Sequence, residues 1–132
     1  MKNNAENNIP EEGPEHRIIN APVVESDVNR FIKEMQQGTI WKNNSHSSIS
    51  LFNSGSLRIA LLGMHEKAIL KPHSTNSNIS VQVLQGTIKF ITEERPIILK
   101  KGHMIALQSN IQHSIESLTD SFFILTIAVI PK

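Results

Sequence analysis

The sequence predicts an all-β fold, a sandwich or barrel preceded by one short helix, and three observations carry that expectation. Apolar-rich segments recur at roughly ten-residue intervals along most of the chain. Turn-forming residues separate them: Asn53-Ser54-Gly55, Gln85-Gly86, Lys101-Gly102 and Ser109-Asn110. No segment with the length and period of a helix lies between them, which argues against a parallel sheet with helical crossovers.

Taken in order, residues 1–16 carry Asn, Glu, Pro and Gly with almost no apolar content. Such a composition buries too little surface to offset its ordering entropy, so a flexible N-terminal arm is expected. Residues 17–132 then form a single domain. A helix is expected over about residues 26–37: Ser26 or Asp27 can cap it, Val28, Phe31, Ile32 and Met35 share one helical face, and Gly38 is placed to end it. That apolar face is a core-facing stripe before it is a groove for a partner. Trp41, the only tryptophan, packs the helix onto the sheet in preference to stacking on a ligand.

After the polar loop KNNSHSS come eight strand-like segments: SISLF, LRIALLGM, SVQVL, TIKFI, PIIL, HMIAL, HSIESL and FFILTIAVI. Alternation assigns their faces. Ile79, Val81 and Val83 point inward, as do Ile88 and Phe90 across the Gln85-Gly86 turn, while Thr87 and Lys89 point outward. Ile111, His113 and Ile115 fall on one face, so His113 is expected inside. FFILTIAVI is apolar on both faces and must be covered on both, by the helix or by a second subunit, from which a homodimer with sheets packed face to face is expected.

The composition excludes several functions. Thirteen basic residues against 12 acidic give a net charge of +1, too weak a field to gather nucleic acid or an anionic membrane. The absence of cysteine removes disulfides, thiolate metal sites and thiol catalysis. The N-terminus has no apolar signal region, and FFILTIAVI is too short to cross a bilayer as a helix, so a soluble, cytoplasmic protein is expected.

Two histidines carry a resemblance to a known family. The segment from Leu57 to Ile127 resembles a small single-domain cupin, an RmlC-like β-barrel of the double-stranded β-helix or jelly-roll type. The first cupin motif is G-x5-H-x-H-x(3,4)-E-x6-G. His73 and Gly86 keep their places in it, while Lys67 stands at the opening Gly, Thr75 at the second His and Ile79 at the Glu. The second motif is G-x5-P-x-G-x2-H-x3-N; Gly102 and His113 fit, and Gln108, Asn110 and Ser117 replace Pro, Gly and Asn. The helix with Trp41 is similar to the N-terminal extension of one bacterial subgroup of such proteins. The resemblance implies a divalent metal, Zn, Fe, Ni or Mn, on a four-ligand set of which His73 and His113 survive.

A catalytic metal centre usually has three protein ligands and one open position. Ile79 coordinates nothing and Thr75 is a poor neutral ligand, so the metal site is degenerate. His65, His103, Gln82 and Gln108 are the candidates for a third ligand, and none is well placed: His65 is expected to point outward at a strand end, and Gln82 has outward parity. Without metal, His73 and His113 would be neutral imidazoles bonded to neighbouring polar groups, or a general acid and base in an epimerase-like site that would need a cationic clamp. His73, Thr75 and His113 among Ile and Val side chains also suit a small-molecule pocket, unless side chains fill the barrel completely. The leading reading is a small-molecule binding or sensing barrel with no assigned catalytic residue. The alternatives are a metal-dependent oxygenase or isomerase and a structural module with a plugged barrel.

Overall fold

A computed structural model describes residues 9–11, 17–73 and 76–129, with Pro72 and His73 described by their backbone alone. Two short helices, α1 (Val28–Gln37) and α2 (Thr39–Asn43), precede nine strands among these residues. The strands are β1 (His46–Asn53), β2 (Leu57–Met64), β3 (Ile69–His73), β4 (Asn78–Gln85), β5 (Thr87–Thr92), β6 (Pro96–Lys100), β7 (Met104–Leu107), β8 (His113–Ser117) and β9 (Ser121–Ala128). They form two antiparallel sheets, a five-stranded one in the order β1-β2-β9-β4-β7 and a four-stranded one in the order β3-β8-β5-β6. This is a jelly-roll barrel.

α1 starts where Asp27 accepts a hydrogen bond from the Arg30 amide at 3.1 Å, and it stops at Gly38, whose N–H reaches Met35 O. Its buried stripe is Phe31, Ile32 and Met35. With Trp41 of α2 this stripe covers the outer face of the larger sheet, packing on Ile49, Leu51, Leu61 and Phe122. The strand that is apolar on both faces, β9, is therefore covered by the chain's own helices outside and by the barrel core inside. Trp41 packs as expected, 5.0 Å from the Phe122 ring.

The second core lies between the sheets and contains Leu62, Val81, Val83, Ile88, Phe90, Phe123 and Leu125. The inward assignments for β4 and β5 hold: Ile79, Val81, Val83, Ile88 and Phe90 are all buried. His113 and Ile115 are buried too, but Ile111 is exposed. The expectation that Ile111 shares their face fails because Asn110 turns the chain with a left-handed φ of 68°, and β8 begins only at His113.

One strand was not expected. β3 contains Pro72, which has no N–H to give to a ladder, and the sequence around it does not alternate. It is tolerated because β3 is the edge of its sheet.

Of the segment expected to be a flexible arm, residues 1–8 and 12–16 lie outside the described residues. Residues 9–11 lie along the edge strand β1: Glu11 forms a parallel bridge with Ser48, and Pro10 O accepts from Ser48 N at 2.8 Å. Ile9 joins the inter-sheet core. Arg17 then donates to Ser50 O, and the Glu11 carboxylate accepts from Ser50 N at 3.1 Å, so side chains satisfy an edge that would otherwise stay open.

Candidate functional site

The two histidines singled out by the sequence come together in register. His73 on β3 is the Cα partner of His113 on β8, after a register shift between Leu70 and His73. Of His73 only the backbone is described, and Thr75 lies outside the described residues. His113 is 4% exposed, and its ring stacks on Phe90 with centroids 5.3 Å apart. Its Nδ1 lies 3.0 Å from Ile111 O. A carbonyl only accepts, so Nδ1 carries a proton.

The residues considered for a third ligand are used elsewhere or face outward. His65 is half-buried, not freely exposed as expected: its Nε2 donates to Trp41 O at 2.7 Å and its ring stacks on Trp41 at 3.6 Å. The reason is α2, which brings Trp41 over the end of β2. His103 accepts from the Lys100 amide at 3.0 Å, and Gln82 and Gln108 are exposed. Among the described residues no group of three or more His, Cys, Asp or Glu is placed to hold a metal ion. Ile79, at the motif's carboxylate position, is buried with no donor to offer.

A cavity of about 130 Å³ opens elsewhere in the barrel, between β1, β2, β9 and the segment 9–11. Alternation explains it. The odd residues of β1, Ile49 and Leu51, face the helices, so the even ones, Ser48 and Ser50, face the barrel interior. On β2 the even residues Leu62 and Met64 belong to the inter-sheet core, which puts Ala60 and Arg58 on the same inward face. Where Phe90 and Phe123 meet, the interior is filled; where Ser48, Ser50 and Ala60 meet, small side chains leave space. Leu62, Leu125 and Ile127 line the apolar side and Glu11, Asn53 and Arg58 the polar one.

Arg58 is a cationic side chain whose facing the sequence leaves open. It was hidden because LRIALLGM is apolar on both faces and alternation cannot orient it. Its Nε is buried and makes no hydrogen bond among the described residues. Arg58 stands in one cross-strand row with Ile127 and Ile79, so the same row that carries no carboxylate on β4 carries a guanidinium on β2. Glu11 lines the same cavity, where its carboxylate accepts from Ser50 N and lies 4.0 Å from Arg17 Nη2.

No family model and no curated protein matches the chain. Solved structures do. A cupin superfamily protein from Desulfitobacterium hafniense superposes with a TM-score of 0.64 at 15% identity, over 66% of this chain and 80% of that one. A conserved protein of unknown function from Streptococcus pyogenes reaches 0.65 at 15% identity, over 89% of this chain and 95% of that one. Salicylate 1,2-dioxygenase from Pseudaminobacter salicylatoxidans reaches 0.64 at 14% identity, over 76% of this chain but only 32% of its own length. The fold is that of the cupins.

Proposed function

We propose that this cupin-fold chain is a binding or sensing module for a small organic molecule, which it takes into the cavity beneath β1, β2 and β9. The observation that carries the reading is the composition of that cavity: apolar side chains on one side and a few convergent polar groups on the other, which is the pattern of small-molecule sites. Its volume of about 130 Å³ is near the roughly 150 Å³ that admits benzene into an engineered protein cavity. Ile9 and Glu11 lie over it, so residues 9–11 form part of the wall. The module acts in the cytoplasm, as a cysteine-free chain suits, and as a homodimer.

Ligand-observed NMR with a panel of small organic compounds tests the reading. Hits are expected to lose their saturation-transfer signal in Ala60→Phe, which fills the cavity from β2. Hits that bind Ala60→Phe as well as the wild type would place the binding elsewhere and overturn it.

The competing reading, a metal-dependent enzyme on His73 and His113, has in its favour the register of those two residues. It predicts a stoichiometric metal. Calorimetric titration with zinc, iron(II), nickel and manganese is expected to give no site of submicromolar affinity; one such site per chain, abolished in His113→Ala, would establish the metal reading instead.

A further inference from the structure

We infer that Arg58 makes the cavity selective for the carboxylate of a small aliphatic acid, an inference that rests on the cavity being the ligand site. A partly buried arginine that lines the cavity with an Nε lacking any partner among the described residues is costly, because a buried donor without an acceptor forfeits its hydration. Among the described residues no carboxylate forms an ion pair with it: Glu11 pairs with Arg17, Glu34 with Arg30 and Glu116 with Lys89. Arg17 donates to Ser50 O, lies 4.0 Å from Glu11 and faces the Phe31 ring, while its Nε and Nη1 are, like Arg58 Nε, buried with no partner among the described residues. Of the two arginines, Arg58 is the one that lines the cavity.

A planar, always charged fork is the side chain best matched to a carboxylate, which it can hold through two parallel hydrogen bonds. A neutral amide offers one acceptor and a donor that Arg cannot use. The hydroxyl of Ser50, which also lines the cavity from β1, can add a further donor to a bound head group. Opposite, Leu62, Leu125 and Ile127 favour a short branched hydrocarbon tail and give no partner to a second polar group. The volume limits the ligand to about six to eight non-hydrogen atoms, the size class that such a cavity accepts.

Three isosteric probes test this on the full chain by calorimetry at neutral pH: 3-methylbutanoate, 3-methylbutanamide and 3-methylbutan-1-ol. The acid is expected to bind at least about tenfold more tightly than either neutral probe, the discrimination a charge-assisted hydrogen bond provides. In Arg58→Gln the affinity for the acid should fall by about the same factor, while the amide changes little. Arg58→Lys, which keeps the charge and loses the fork, should fall between. Equal affinity for the three probes, or acid binding unaltered in both variants, overturns the carboxylate assignment and leaves the cavity as a ligand site. Failure of all three to bind the wild type at millimolar concentration overturns both readings.

Discussion

Lys67 holds a backbone φ of 72°, in the left-handed region where a Cβ is unwelcome. It stands where the cupin motif opens with Gly, and Asn110, at the Gly of the second motif, has a φ of 68°. Both positions adopt the left-handed backbone that glycine enters most readily. Asn tolerates that region through its short polar side chain; Lys does not. The turn at Lys67 is pinned by its N–H to Ser117 O at 2.7 Å, so strain does not relax it. Lys67→Gly should accordingly stabilise the chain by about 0.5–1 kcal/mol, the relief of strain exceeding the extra freedom of Gly in the unfolded state. Chemical denaturation would show it as a higher midpoint at unchanged slope, and a lower midpoint would contradict it. His46 makes a second prediction. Burial lowers its pKa from the usual 6.5, against the hydrogen bond to Ile69 O that raises it, with His65 adding to the fall. The folded state then binds a proton less readily than the unfolded one. Stability from this group is complete above pH 6.5 and is lost as the pH falls from there through the folded-state value. Unfolding free energies measured from pH 7.5 to 5 should fall less steeply in His46→Gln than in the wild type; parallel curves would exclude His46 as a contributor. That histidine's environment was not legible in the sequence, because it depends on Ile69, 23 residues on, in a strand whose proline concealed it.

At the scale of elements, legibility followed alternation. β4 and β5 alternate cleanly, and their inner residues could be named in advance. β2 is apolar on both faces because helices cover one side and the barrel core the other, so the orientation of Arg58, and with it the cavity, could not be read. The helix was visible from its stripe, but what lets it dock is a single glycine on the strand beneath. An ideal Cβ at Gly63 would lie 2.7 Å from Met35 Sδ, 2.8 Å from Phe122 Cε1 and 2.9 Å from Trp41 Cζ3. α1 and α2 approach β2 closely only because that atom is absent. Gly63→Ala should cost about 1–3 kcal/mol, as overpacking of a filled core does. Met35 is the most adaptable of the three neighbours, so Met35→Ala should cost less in the Gly63→Ala background than in the wild type. Additive losses in a double-mutant cycle would show that the helix does not press on Gly63.

For the molecule as a whole, the two sheets differ in what covers them. The larger sheet carries α1 and α2 on its outer face. Over the smaller sheet no helix of the described residues packs, and one cross-strand row runs Ile69, Glu116, Lys89, Ile98. Its ends are apolar, Ile69 at 54% and Ile98 at 45% exposure, and its centre is the Lys89–Glu116 ion pair at 3.5 Å. Such a row can meet a second copy of itself in antiparallel fashion, Ile69 against Ile98 and each charge against its opposite, as a two-fold axis requires. The homodimer expected from FFILTIAVI is therefore proposed through this face and not through β9, which the helices already cover. Because the paired charges stay near the middle, where removal of one partner would strand the other, the apolar ends are the cleaner test. Light scattering after gel filtration should give twice the chain mass for the wild type at micromolar concentration, and the chain mass for Ile98→Glu with its fold intact by circular dichroism. A monomeric wild type would dismiss the dimer. A dimer that survives both Ile98→Glu and Ile69→Lys would move it to another face.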